Sequence, residues 1–162
     1  MLGRPTLTVP PAGAKPWFMD AQSEPLVAFL TQGGKVFIVP QYSIPSDNSK
    51  GDWACPDFVA LDFERHEIVV VEVSTGADTR PITRKVQDRQ NQWFDRLRAK
   101  LAADRVADET WGIRFLGFVR RPSLNMLQTT FAGAEDVAFF PIEDATFPYL
   151  YWSDRAEKGL PR

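Results

Sequence analysis

Residues 56–74 read PDFVALDFERHEIVVVEVS. Two runs rich in β-branched and aromatic residues, Asp57–Phe63 and Ile68–Ser74, flank the short charged stretch Glu64-Arg65-His66-Glu67. That is the pattern of an antiparallel hairpin with a tight turn. In the second run Ile68, Val69, Val70, Val71 and Val73 ask for burial on both faces, which sets it in the interior of a sheet. One acid, Glu72, interrupts it. Side chains alternate along a strand, so Glu72 shares a face with Ile68, Val70 and Ser74. A buried carboxylate needs a cation, a metal or strong donors beside it. Antiparallel pairing through a four-residue turn brings the start of the first run beside the end of the second, so Asp57 is expected next to Glu72. Two like charges held together repel unless something positive lies nearby. A divalent, oxygen-seeking cation would supply it; so would a salt bridge from one acid at the rim to Arg84 or Arg89.

Working outward, residues 1–20 carry Pro5, Pro10, Pro11 and Pro16 and read as an irregular arm, with Trp17 and Phe18 anchoring its end. A single domain is expected over 21–162. It opens on a short helix with Ser23 as its cap, Pro25 in the first turn and Leu26, Val27, Phe29 and Leu30 on its apolar face, stopped by Gly33-Gly34. Lys35–Ile44 reads as a strand in which Pro40 marks a bulge or an edge. The stretch 45–52, PSDNSKGD, is a polar loop. After the hairpin and the loop 74–79, Pro81 opens one long helix to about Ala103, with Ile82, Val86, Trp93, Phe94, Leu97 and Leu101 at helical spacing. Gly112–Arg120 and Asp136–Ile142 read as strands, and the aromatic tail Phe147–Trp152 packs back on the body. The order is helix, three strands, helix, strand: an α/β fold with a mixed central sheet flanked by helices.

Composition narrows the chemistry. The chain has 162 residues, 44% of them hydrophobic and 25% charged, an ordinary globular balance. Its longest apolar runs, Ile68–Val71 and Val137–Ile142, fall far short of the roughly 18 residues of a membrane helix. The N-terminal residues lack the apolar core of a signal peptide. One cysteine, Cys55, excludes an internal disulfide and fits a reducing, cytoplasmic setting. With a single histidine, His66, in the charged turn, histidine-rich and thiolate metal sites are excluded as well. Any metal would sit mostly on oxygen, as magnesium, calcium or manganese do. Net charge is −2, yet residues 80–100 hold seven basic residues against two acids, a local +5 on a body of −7. Such a stripe is either a polyanion-binding face or a solvated helix exterior.

Pro56-Asp57, fourteen residues, then Glu72-Val73-Ser74 at the end of an apolar strand resembles the PD-(D/E)xK nuclease superfamily, whose αβββαβ restriction-endonuclease-like core is similar to the order above. The resemblance runs from about Glu24 to Arg120. It implies a magnesium- or manganese-dependent nuclease acting on nucleic acid, DNA more than RNA. Asp57, Glu72 and the carbonyl of Val73 would hold the metal, and Glu24 in the first helix would complete its shell. Gln90-Asn91-Gln92-Trp93-Phe94 resembles the family's QxxxY element, and Gln90 falls about 20° from the centre of the helix's apolar face at ~100° per residue. The chain departs from the pattern at Ser74, where the family has its lysine. A serine hydroxyl can hold a water but supplies no charge. Lys85, early in the following helix and off its apolar face, is the substitute. Arg89 competes with it as a phosphate clamp, and Arg84 would bind phosphate beside it. A catalytically lapsed module that binds nucleic acid or a protein partner remains the alternative. A homodimer is a further possibility, and a membrane is not expected.

Overall fold

The computed structural model describes residues 23–44 and 54–146. The arm 1–20, the polar loop 45–52, Trp53 and the aromatic tail lie outside them. Eleven elements follow in order: α1 (Ser23–Thr31), β1 (Val36–Pro40), β2 (Phe58–Asp62), β3 (Glu67–Ser74), α2 (Arg80–Gln87), a π-helical turn (Gln90–Phe94), α3 (Asp95–Ala103), β4 (Gly112–Val119), α4 (Arg121–Thr130), β5 (Val137–Pro141) and α5 (Ile142–Thr146). The described residues form an α/β domain on one five-stranded mixed sheet in the order β1-β2-β3-β4-β5. The first two pairings are antiparallel, and β3–β4 and β4–β5 are parallel. No helix among these residues is long and apolar enough to cross a membrane.

The sheet is covered on both faces, which is why β2 and β3 read as apolar runs rather than alternating ones. Val59, Leu61, Ile68, Val70, Phe115, Val119 and Phe139 pack beneath Ile82 and Val86 of α2, Trp93 and Phe94 of the π turn, and Leu97 and Leu101 of α3. On the opposite face Phe58, Ala60, Val69, Val71 and Phe118 meet Leu26 of α1 and Ile142 and Ala145 of α5. At the β2–β3 turn, Asp62 accepts the backbone N–H groups of Glu64 and Arg65, both at 3.0 Å, and His66 takes a left-handed φ of 53°. The turn therefore has an internal cap and a fixed register, with Asp62 opposite Glu67.

Three local expectations need correction, and one helix was not foreseen. The first strand stops at Pro40, not Ile44: proline has no N–H to extend the ladder, Gln41 turns left-handed at φ 48°, and Ile44 makes an isolated bridge to Ala54. Pro40 does close an edge strand, as a proline in a strand should. The helix after Pro81 is not continuous. It breaks at Asp88, passes through the π turn, where the N–H of Asp95 bonds the carbonyl of Gln90 five residues back, and resumes as α3. Residues 121–130 form α4, entered through Pro122, although their polar character hides the helical spacing of Leu124 and Leu127. The last strand ends at Pro141, and Ile142 begins α5.

Candidate functional site

The hairpin register, extended one step past Phe58–Val71, sets Asp57 directly across from Glu72 on the face that α2 covers. Asp57 is half-buried, and its Oδ2 accepts the backbone N–H of Val73 at 2.7 Å. Glu72 is 5% exposed, the one polar or charged residue among the described residues that is buried. Its other neighbour, on β4, is Gly117. The ring of Phe139 lies over that glycine, 2.7 Å from where a Cβ would stand. Glu72 is thus walled by an aromatic ring on one side and faced by a carboxylate on the other.

Lys85 enters from α2. Its Nζ donates to Oε2 of Glu72 at 2.6 Å and lies 5.9 Å above the ring of Trp93. Side-chain exposure is 41% for Lys85 against 7% for Glu72, so the ammonium enters from the solvent side while the carboxylate stays inside. Oε1 of Glu72 is buried and has no hydrogen-bond partner among the described residues. Burial, followed by repulsion from Asp57, pushes the Glu72 carboxyl from its ordinary value near 4.5 up to about 7, and the Lys85 hydrogen bond opposes that rise. A carboxyl poised near neutrality beside a lysine can hold a cation or shuttle a proton.

The other residues singled out from the sequence divide. Glu24 is exposed in the first turn of α1, the helix whose Leu26 packs on the opposite face of the sheet. Among the described residues no group of three or more His, Cys, Asp or Glu side chains converges, so Glu24 does not join Asp57 and Glu72. Gln90 is exposed rather than turned inward and donates to Asp95 Oδ1 at 2.5 Å. Phe94, four residues on, is buried as its spacing predicts. Arg89 is not free to clamp phosphate: Nε and Nη2 hold both oxygens of Asp136 at 2.6 and 2.7 Å, tying the helix break to the start of β5. Arg84 is exposed on α2. Ser74 lies level with Val119, two residues beyond Glu72 on the same face. Cys55 is exposed, and partial burial of its thiol, then the charges of Asp57 and Glu72, push its pKa up, which keeps it protonated. His66 stacks on Trp111 at 5.3 Å, in the turn at the far end of the hairpin.

Sequence reasoning missed two contributors. Trp93 was legible as core but not as the ring under Lys85, because straight helical spacing aligns it with Val86. Gly117 had no signal apart from the unusual glycine inside GIRFLGFV, which marks a close approach of another group. No family model matches the chain, and no curated protein matches it in sequence.

Proposed function

We propose that the chain is a small metal-dependent nuclease of the PD-(D/E)xK type, hydrolysing phosphodiester bonds of nucleic acid, DNA in preference to RNA. The observation that carries this reading is the divided carboxylate of Glu72. Oε2 takes the Lys85 ammonium, while Oε1 is buried with no hydrogen-bond partner among the described residues and Asp57 stands across the hairpin. A carboxylate oxygen left so costs free energy unless a cation meets it, and paired carboxylates suit a hard divalent ion. Asp57 and Glu72 are the residues that would hold magnesium or manganese, with the carbonyl of Val73 beside them. When bound, the ion would polarise a phosphate oxygen and lower the pKa of a water.

The rest falls to the chain's own side chains. The Lys85 ammonium hydrogen-bonds and orients the attacking water and offsets charge building on the phosphate. Exposed Arg84, next to Lys85 on α2, contacts the phosphate backbone. The aromatic wall over Gly117 keeps water from beneath the carboxylates, where charge interactions are then stronger. A lapsed site that binds nucleic acid or a protein partner is the second reading. It is favoured by Lys85 already neutralising Glu72 and by Ser74 in the position where the resemblance expects a lysine.

Cleavage of single-stranded, duplex and branched DNA, and of RNA, with magnesium or manganese tests the proposal. Asp57→Asn and Glu72→Gln should each abolish it, and Lys85→Ala should slow it by roughly two to four orders of magnitude. Metal-dependent cleavage that survives both carboxamide variants would overturn the assignment. An inert wild type that becomes active as Ser74→Lys supports the lapsed reading. If both are inert, catalysis is ruled out.

A further inference from the structure

We propose that Trp93 is a positioning residue for Lys85, holding the ammonium against Glu72 through the face of its indole ring; this rests on Lys85 being the working cation of the site. The Lys85 Nζ stands 5.9 Å from the ring centroid, within the range in which an aromatic face attracts an ammonium. Trp93 cannot drift from that place. It is 1% exposed, and its ring stacks on Phe115 of β4 at 5.8 Å and 13°. Lys85, by contrast, is a flexible four-carbon stem with 41% of its side chain in solvent. A single hydrogen bond to Glu72 leaves the rest of that stem free to swing. The rigid ring beneath removes part of that freedom.

The π-helical turn is what brings the two together. Between residues 85 and 93 a regular helix rotates by about 80° net at ~100° per residue, which carries the indole away from the lysine. The widened turn takes back part of that rotation, which turns Trp93 toward Lys85 and Phe94 toward Val86. Both Trp93 and Phe94 are buried. Trp93 therefore touches no substrate atom and acts through Lys85 alone.

Two measurements read this contact. In wild type, the ring current of Trp93 should shift the Lys85 Hε protons upfield of those of Lys35, an exposed lysine paired with Glu64. Lys85→Arg assigns the signal by removing it. In acylation by an amine-reactive reagent, followed by peptide mass spectrometry, Lys85 should react about 2- to 30-fold faster in Trp93→Met than in wild type, with Lys35 unchanged and Trp93→Phe intermediate. In cleavage assays the same variants should lower kcat in that order and leave KM in place. An unshifted Lys85 signal in wild type overturns the proposal without any Trp93 variant, as does an unchanged labelling rate in a folded Trp93→Met. The two readings fail separately. A shifted, protected Lys85 in a chain that cleaves nothing ends the nuclease assignment and leaves the positioning role standing. Cleavage with an unshifted Lys85 ends the positioning role alone.

Discussion

Burial and the facing carboxylate of Asp57 raise the Glu72 carboxyl to about 7, so between its ordinary value near 4.5 and that point the folded chain holds a proton that the unfolded chain has released. Stability from this group is therefore present at low pH and lost as pH rises through that window. Glu72→Gln keeps the shape and removes the charge. Urea unfolding should show it more stable than wild type by on the order of 1–3 kcal/mol at pH 8, with the gap closing toward pH 5. A gap that is flat, or that opens in the acid direction, would contradict the burial argument. Asp57 and Glu72 were legible because an acid inside an apolar run must answer to something, and strand alternation with a four-residue turn says which acid faces which. Lys85 was legible as an off-core residue early in α2. Gln90 was misread because the period of 3.6 was carried through a segment that abandons it. Arg89 was misread because its partner Asp136 is 47 residues away on another strand, where no local pattern reaches.

Elements with a strong period of two or a clean break were read to within a few residues, and the failures have separate physical causes. Proline ended β1 early. The π turn hides inside a helix whose apolar residues still look evenly spaced. Helix α4 buries only Leu127 among its ten residues, so its amphipathic signal is weak. Gly117 is the sharpest constraint in β4. An added Cβ would stand 2.7 Å from the Phe139 ring and 3.0 Å from the Phe115 ring, and both rings belong to the core under the helices. Gly117→Ala should therefore destabilise the domain by about 1–3 kcal/mol, the usual result of overpacking, where an open strand position would gain from the same change. A denaturation midpoint equal to or above that of wild type would show that Phe139 has room to move, and that the wall beside Glu72 is softer than described.

At the scale of the molecule, the basic stripe of residues 80–100 is thinner than its sequence count. Arg80 is held by Asp78, Lys85 by Glu72, Arg89 by Asp136 and Lys100 by Asp104. Arg96 donates to the carbonyl of Ile44. Arg84 and Arg98 remain as the stripe's arginines without a partner among the described residues. Binding to nucleic acid should therefore weaken with salt at a slope worth about one or two phosphate contacts, not seven, and Arg84→Ala should remove about one of them. Arg89→Ala should leave the slope alone and instead lower stability by roughly 1–3 kcal/mol, because it strips a charged partner from a half-buried Asp136. A salt titration of binding, set beside a thermal melt, separates the two arginines. A slope that falls equally for both would mean that Arg89 leaves Asp136 for the ligand.

The strand order has a consequence for how the chain acquires this structure. Across the sheet the strands stand in the order in which they occur along the chain, so each pairs with its predecessor and none has to be inserted between two already joined. Closing the β2–β3 turn spans four residues, whereas β3 and β4 meet only after residues 75–111 have been gathered in, a difference of about 2 kcal/mol in chain entropy. The hairpin that carries Asp57 and Glu72 can therefore nucleate, with β4 and β5 added in turn at its open edge. Val59→Ala should slow refolding, while Val137→Ala should leave refolding nearly untouched and speed unfolding. The two acids would then be neighbours before the lysine that neutralises one of them arrives.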